Sequence, residues 1–177
     1  MPNIRDRKRI LVVGSGGAGK STFSRALGAL TGLPVIHLDR HYWKPRWQPT
    51  SGDEWKQKVA QLASNDEWIM DGNYGGSLSI RLMRCDAVVF FDFPRLACLW
   101  GVIQRRLATR GGTRPDMAEG CVECMTWEFV LWIWRYPKMG RRRVVRELEA
   151  ASHRIDIITV SSRKDVQSVL QCDTAVA

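Results

Sequence analysis

A lysine and a serine placed side by side after a glycine-rich bend can grip a polyphosphate. That arrangement stands in "GSGGAGKST", residues 14–22, directly after the apolar run "ILVVG". Gly14, Gly19, Lys20 and Ser21 fit G-x-x-x-x-G-K-[ST], the loop whose backbone N–H groups cradle a nucleoside triphosphate. Gly14, Gly16 and Gly19 equally fit G-x-G-x-x-G, the turn that holds a dinucleotide pyrophosphate. Asp39, 20 residues after Gly19, serves either reading. It could meet ribose hydroxyls, or it could orient the acceptor hydroxyl of a phosphoryl transfer. Lys20 and Ser21 decide between the two. A dinucleotide turn has no use for an ammonium after its third glycine, whereas a triphosphate does. Lys20 would neutralise the β- and γ-phosphates and Ser21 would ligate Mg²⁺. Thr22 would meet another phosphate oxygen, with Gly16, Gly17 and Ala18 letting the loop wrap closely. The implied cofactors are ATP and Mg²⁺.

A second carboxylate is needed near the metal at a strand end. "VVFFD" offers Asp92 and "WIMDG" offers Asp71; the longer apolar run favours Asp92. Arg106 and Arg110 lie four apart, on one face of a helix ending near 110, and Arg114 follows. A solvated basic face is the alternative reading. Residues 39–47, "DRHYWKPRW", interleave aromatics with cations. Such a segment can stack on a planar acceptor, line a nucleic-acid surface, or simply pack onto a sheet.

These residues need a scaffold, and the pattern supplies one. Apolar runs alternate with helical periodicity, which predicts a parallel sheet with crossover helices. Strands are expected at 9–13, in "PVIHLD", "EWIMD", "DAVVFFD" and "RIDIITV". Helices are expected at 20–30, where Phe23, Ala26, Leu27 and Leu30 share a face, after a Ser51–Glu54 capping box, and from Leu96 through Leu107. Others are expected at 125–136, with Trp127, Leu131 and Trp134 as a core stripe, at 141–150, and after a Ser162–Asp165 start.

The 177 residues suffice for one domain, and 45% hydrophobic with 25% charged residues is an ordinary globular balance. A net charge of +9 suits polyanionic partners. The basic start is followed by too few apolar residues for a signal peptide, and no apolar run could span a bilayer, so a cytoplasmic location is expected. The five cysteines are read as free thiols, because the single C-x-x-C of Cys121 and Cys124 lacks a second ligand pair.

Four stretches, "RILVVGSGGAGKSTFSRAL", "LPVIHLDRHYWKPRW", "WIMDGNYGGSLSIRL" and "RPDMAEG", resemble the small P-loop kinases of the DNA topology modulation group, relatives of adenylate kinase. The likeness runs from Arg9 to the last helix. It implies an α/β P-loop kinase fold, one domain over 1–177, its five-stranded parallel sheet ordered 2-3-1-4-5, with a helical lid near 106–120. It also implies that Asp71, on the strand beside the P-loop strand, is the metal-shell acid ahead of Asp92. Arg106 and Arg110 become lid residues over the ATP phosphates or adenine. Two departures from adenylate kinase leave the acceptor open: "GKST" replaces "GKGT", and the 39–55 region does not look like AMP-binding helices. The expected function is transfer of the γ-phosphoryl of Mg·ATP to a nucleotide or other small molecule. The alternatives are a nucleotide-dependent DNA-binding protein and an ATPase switch without acceptor.

Overall fold

A computed structural model describes residues 3–109, 116–121 and 125–171. Five parallel strands form its sheet: β1 (Arg9–Gly14), β2 (Val35–His37), β3 (Trp68–Asp71), β4 (Ala87–Phe91) and β5 (Asp156–Val160). Their order is β2-β3-β1-β4-β5, the expected 2-3-1-4-5 arrangement. β1 pairs with β3 from Arg9↔Trp68 to Val12↔Asp71, and with β4 from Ile10↔Ala87 to Gly14↔Phe91.

The strands alternate faces every residue, and both faces are covered. Leu11, Val13, Met70, Val88 and Phe90 point to one side. There they meet α3 (Gly52–Ala63), α4 (Leu78–Leu82) and α7 (Gly140–Ala151) through Trp55, Val59, Leu82, Val144 and Leu148. Ile10, Val12, Ile69, Val89 and Phe91 point to the other. They meet α1 (Lys20–Thr31), α5 (Arg95–Thr109), α6 (Trp127–Arg135) and α8 (Arg163–Gln171) through Phe23, Leu27, Val102, Ile133 and Val169. The near-continuous apolar strand runs in the sequence are thus the mark of a sheet buried on both sides.

Several expectations shift in detail. β2 ends at His37, and Asp39 lies in the first turn of a short helix, α2 (Leu38–Tyr42), rather than at a strand end. Leu38 is fully buried and packs over Gly72, which turns the chain there. Trp43–Lys44 pairs with Gln48–Pro49 in a two-residue antiparallel ribbon that the sequence did not suggest. Ser51 flanks α3 but makes no side-chain cap to its backbone; its hydroxyl faces the Glu54 carboxylate at 3.5 Å instead. The capping box at α8 is formed: Asp165 N–H donates to Ser162 Oγ at 3.2 Å and Ser162 N–H donates to Asp165 Oδ2 at 2.9 Å.

The core stripe expected on α6 is corrected. Trp127 is 74% exposed and Trp134 44%. Ile133 is the buried residue of that helix, while Phe129 and Trp132 stack on each other with centroids 6.0 Å apart. Likewise Leu96, Trp100, Ile103 and Leu107 hold helical spacing on α5 but face outward, with Cys98 and Val102 buried behind them. The spacing is helical in both faces; only the packed sheet decides which one is covered.

Candidate active site

The carboxyl ends of β1, β2 and β3 lie side by side, and Lys20, Ser21, Asp39 and Asp71 stand on the elements that meet or leave the sheet there. Gly14 closes β1, and the loop then turns into α1. Gly17 and Gly19 carry φ of +77° and +95°, backbone angles that favour glycine. Gly17 has a second reason to lack a side chain: a Cβ there would come within 2.1 Å of the Cys98 carbonyl oxygen on α5. The first turn of α1 holds Lys20, Ser21 and Thr22, so free N–H groups of the helix start face the loop's interior. The Lys20 ammonium reaches across the bend and donates to the Ser15 carbonyl at 2.8 Å. This geometry offers one ammonium, one hydroxyl and a set of N–H donors to an anion.

Around the loop, Phe129 and Trp132 of α6 approach Gly16, where a Cβ would meet the Phe129 ring at 2.8 Å. On the other side Arg163 of α8 donates to the Ala18 carbonyl at 3.4 Å and lies 5.4 Å from the Phe93 ring centroid. No local pattern signals that α6 borders the glycine loop.

Asp71 ends β3 level with Val12 and His37. It is buried, and its Oδ2 lies 3.0 Å from His37 Nδ1. His37 therefore partners the acid that the resemblance favours. Asp92, just beyond β4, is engaged by Arg141 at the start of α7: Nε and Nη2 donate to its two oxygens, each at 2.7 Å. That fork–fork pair occupies both carboxylate oxygens, so Asp92 is the poorer metal-shell candidate. Arg141, first of the adjacent Arg141, Arg142 and Arg143, is thus tied to the end of β4.

Asp39, on α2, accepts a 2.5 Å hydrogen bond from the Tyr74 hydroxyl. Burial and then the charge of Asp39 push the Tyr74 hydroxyl far above its ordinary pKa. Tyr74 follows "DGN", and its ring packs against Tyr42 and Trp55 with centroids 4.7 and 4.9 Å away. Arg81 is fully buried. Its guanidinium donates to the carbonyls of Gly72 (2.8 Å), Asn73 (2.9 Å), Tyr74 (2.9 Å) and Ser77 (3.3 Å). Burial lowers its pKa to about 10. Arg81 braces the turn, its guanidinium engaged by main-chain carbonyls.

Beside α2, a cleft of about 630 Å³ is bordered by Arg40, His41, Trp43, Lys44 and Lys58, with Ala118 and Glu119 across from them. Residues 116–121 dock there: Gly120 accepts from the Arg46 N–H at 3.4 Å, and the Cys121 thiol donates to the Lys44 carbonyl at 3.4 Å. Burial, then the charges of Lys58 and Arg40, lower the pKa of His41. "HYWKPRW" and "DMAEG", from two of the stretches that carry the resemblance, are therefore neighbours in space. Arg106 lies exposed on the last turns of α5. Arg110, Arg114 and Cys124 fall outside the described residues, as does the span 110–115 of the expected lid.

The donor set fits a hard cation of the Mg²⁺ type. Ser21 offers a hydroxyl at the helix start and Asp71 a carboxylate two residues below the level of Gly14, both oxygen donors. Among the described residues no group of three His, Cys, Asp or Glu side chains converges on one point. A metal here would rely on phosphate and water for its remaining ligands, as Mg²⁺ does. Also among the described residues, no helix is long and apolar enough to cross a membrane.

Compared with protein-family models and with curated protein sequences, the chain matches none. Solved structures do resemble it. A shikimate kinase from Bacteroides thetaiotaomicron is 18% identical with a TM-score of 0.50, covering 94% of this chain and 95% of that one. A shikimate kinase from Acinetobacter baumannii, in complex with shikimate, is 16% identical with a TM-score of 0.52, covering 93% and 92%. At such identities the likeness speaks for the fold. A five-stranded parallel sheet in the order 2-3-1-4-5, with its glycine loop between the central strand and α1, is the P-loop kinase fold.

Proposed function

We propose that the chain is an ATP-dependent phosphotransferase that passes the γ-phosphoryl of Mg·ATP to a small-molecule acceptor. The observation that carries this reading is the loop between β1 and α1: left-handed Gly17 and Gly19, the first-turn N–H groups, and the Lys20 ammonium facing into the bend. Two further observations support it. The kinase fold of the structural neighbours is one, and the resemblance of four sequence stretches to the DNA topology modulation kinases is the other.

In this reading Lys20 and the loop N–H groups hold the β- and γ-phosphates. Ser21 and Asp71 would hold Mg²⁺, which when bound supplies charge neutralisation to the phosphates. Asp39 accepts a hydrogen bond from the acceptor hydroxyl and orients it for in-line attack. Arg106 of α5, together with Arg110, would bring positive charge to the transferring group. The cleft beside α2 has the volume of a small-ligand site and carries Arg40, Lys44 and Lys58.

The test is a thermal-shift and calorimetric titration with Mg·ATP, followed by a coupled assay over nucleotides, nucleosides and sugar-like polyols. Wild-type protein is expected to be stabilised by Mg·ATP and Lys20→Ala to lose most of that shift, while NADH leaves both unchanged. Stabilisation by NADH and none by Mg·ATP would overturn the reading.

A further inference from the structure

We propose that Tyr74 is a positioning residue for the Asp39 carboxylate, and that Arg81 holds Tyr74 in the backbone conformation this task requires. The assignment of Asp39 to the acceptor rests on the phosphotransfer reading; the geometry of the pair does not.

Three observations converge. First, Tyr74 sits at φ +22°, ψ +65°, outside the regions that a bulky side chain readily adopts. Its neighbours Gly72, Gly75 and Gly76 would have been cheaper residues for such a turn. Strain of this kind persists only where surrounding structure imposes it, and it concentrates at functional sites. Second, the imposing structure is visible. Arg81 ties together the three successive carbonyls of residues 72–74 from beneath, and Tyr42 and Trp55 wedge the ring. Third, what the strained residue delivers is one hydrogen bond, from its hydroxyl to Asp39 Oδ1 at 2.5 Å. Burial keeps that hydroxyl protonated, so it donates and the carboxylate accepts. A donor on the ionised form favours that form. It also restricts the rotation of the carboxylate about its Cβ–Cγ bond. The bond therefore keeps Asp39 both ionised and aimed.

The experiment compares the full chain with Tyr74→Phe, which retains the ring and its packing. The Asp39 carboxyl carbon is followed by NMR through a pH titration without nucleotide, its resonance assigned with Asp39→Asn. Losing the hydroxyl is expected to raise the Asp39 midpoint by about one pH unit. The charged neighbours on the same turn, Arg40 and His41, are unchanged in every variant. Site-specific 3-fluorotyrosine at position 74, a stronger donor of nearly the same shape, is expected to lower the midpoint. A midpoint that moves by less than roughly 0.3 unit in both proteins overturns the proposal. Arg81→Lys is expected to raise the midpoint too, and to add nothing further once Tyr74 is Phe. A fully additive shift overturns the part assigned to Arg81.

Turnover of Mg·ATP with water as phosphoryl acceptor gives the second readout. Tyr74→Phe is expected to lower kcat about tenfold with KM for ATP unchanged, and to move the acidic limb of the pH–rate profile upward. A raised KM with unchanged kcat would place Tyr74 on the nucleotide and overturn the proposal. Asp39→Asn separates the two readings. Should it hydrolyse ATP as well as wild type while Tyr74→Phe still shifts the titration, the catalytic role of Asp39 falls and the positioning bond stands.

Discussion

Arg81 shows how far a residue type can be read without its surroundings. An arginine a turn or two after an acidic strand end suggests a ligand contact, and the sequence supports nothing finer. The fold buries it completely and gives it four carbonyls, a role that depends on the path of residues 72–77 and not on local pattern. Replacing it by Met would strand those carbonyls, and a loss of about 3–5 kcal/mol is expected in urea unfolding. Lys20, Ser21 and the loop glycines were legible because their chemistry is local: a bend, an ammonium and a hydroxyl within eight residues. Asp39–Tyr74 and His37–Asp71 were not, because each joins residues about 35 apart, the first across the segments that follow β2 and β3 and the second through strand register. The Asp86 carboxylate, at the entry to β4, is a third long-range partner. It accepts from the Arg9 backbone N–H at 2.9 Å and from Arg9 Nη2 at 2.7 Å, fastening β4 to β1. Partial burial raises its pKa, but the bonds from Arg9 outweigh that, and the net shift is downward. A carboxylate whose folded pKa lies below its unfolded one stabilises the fold above the unfolded value and ceases to do so as pH falls through the folded value. The difference in stability between wild type and Asp86→Ala, about 2 kcal/mol at pH 7, is therefore expected to shrink below pH 4. Urea denaturation across that range checks it.

Secondary structure was the most readable level. Every sheet strand and every long helix lies where periodicity placed it, and the α8 cap is the box that Ser162 and Asp165 announced. What periodicity left undetermined is which face of a helix is covered. α6 has apolar residues all round, so the stripe of Trp127, Leu131 and Trp134 was as good a candidate as the observed Phe129–Ile133 face. The distinction is measurable. Trp127→Gln is expected to leave stability within about 0.5 kcal/mol, the usual range for an exposed substitution. Ile133→Ala is expected to cost about 2–5 kcal/mol by leaving a cavity against the sheet. Thermal melts of the two variants, with tryptophan fluorescence and circular dichroism as separate probes, give the comparison.

For the molecule as a whole, the sequence order of strands and helices was enough to place the site at the carboxyl edge of a parallel sheet, where open α/β folds bind ligands. It could not show that the glycine loop is roofed by α6 and floored by α5, since those contacts are set by packing across the layers. The floor is the tighter. On α5, a Cβ at Gly101 would come within 2.1 Å of the Gly17 carbonyl oxygen, just as one at Gly17 would meet Cys98. Gly101→Ala is expected to lower the melting temperature and to abolish stabilisation by Mg·ATP, because the displaced partner is main chain and cannot rotate aside. A differential scan with and without Mg·ATP measures both effects. That main-chain joint also sets the clocking of α5 about its own axis. Slipping the helix by a single residue would rotate Arg106, five positions further on, by about 100° and shift it by about 1.5 Å. The angle at which Arg106 leaves the helix is therefore set in part from below, by two residues that have no side chains at all.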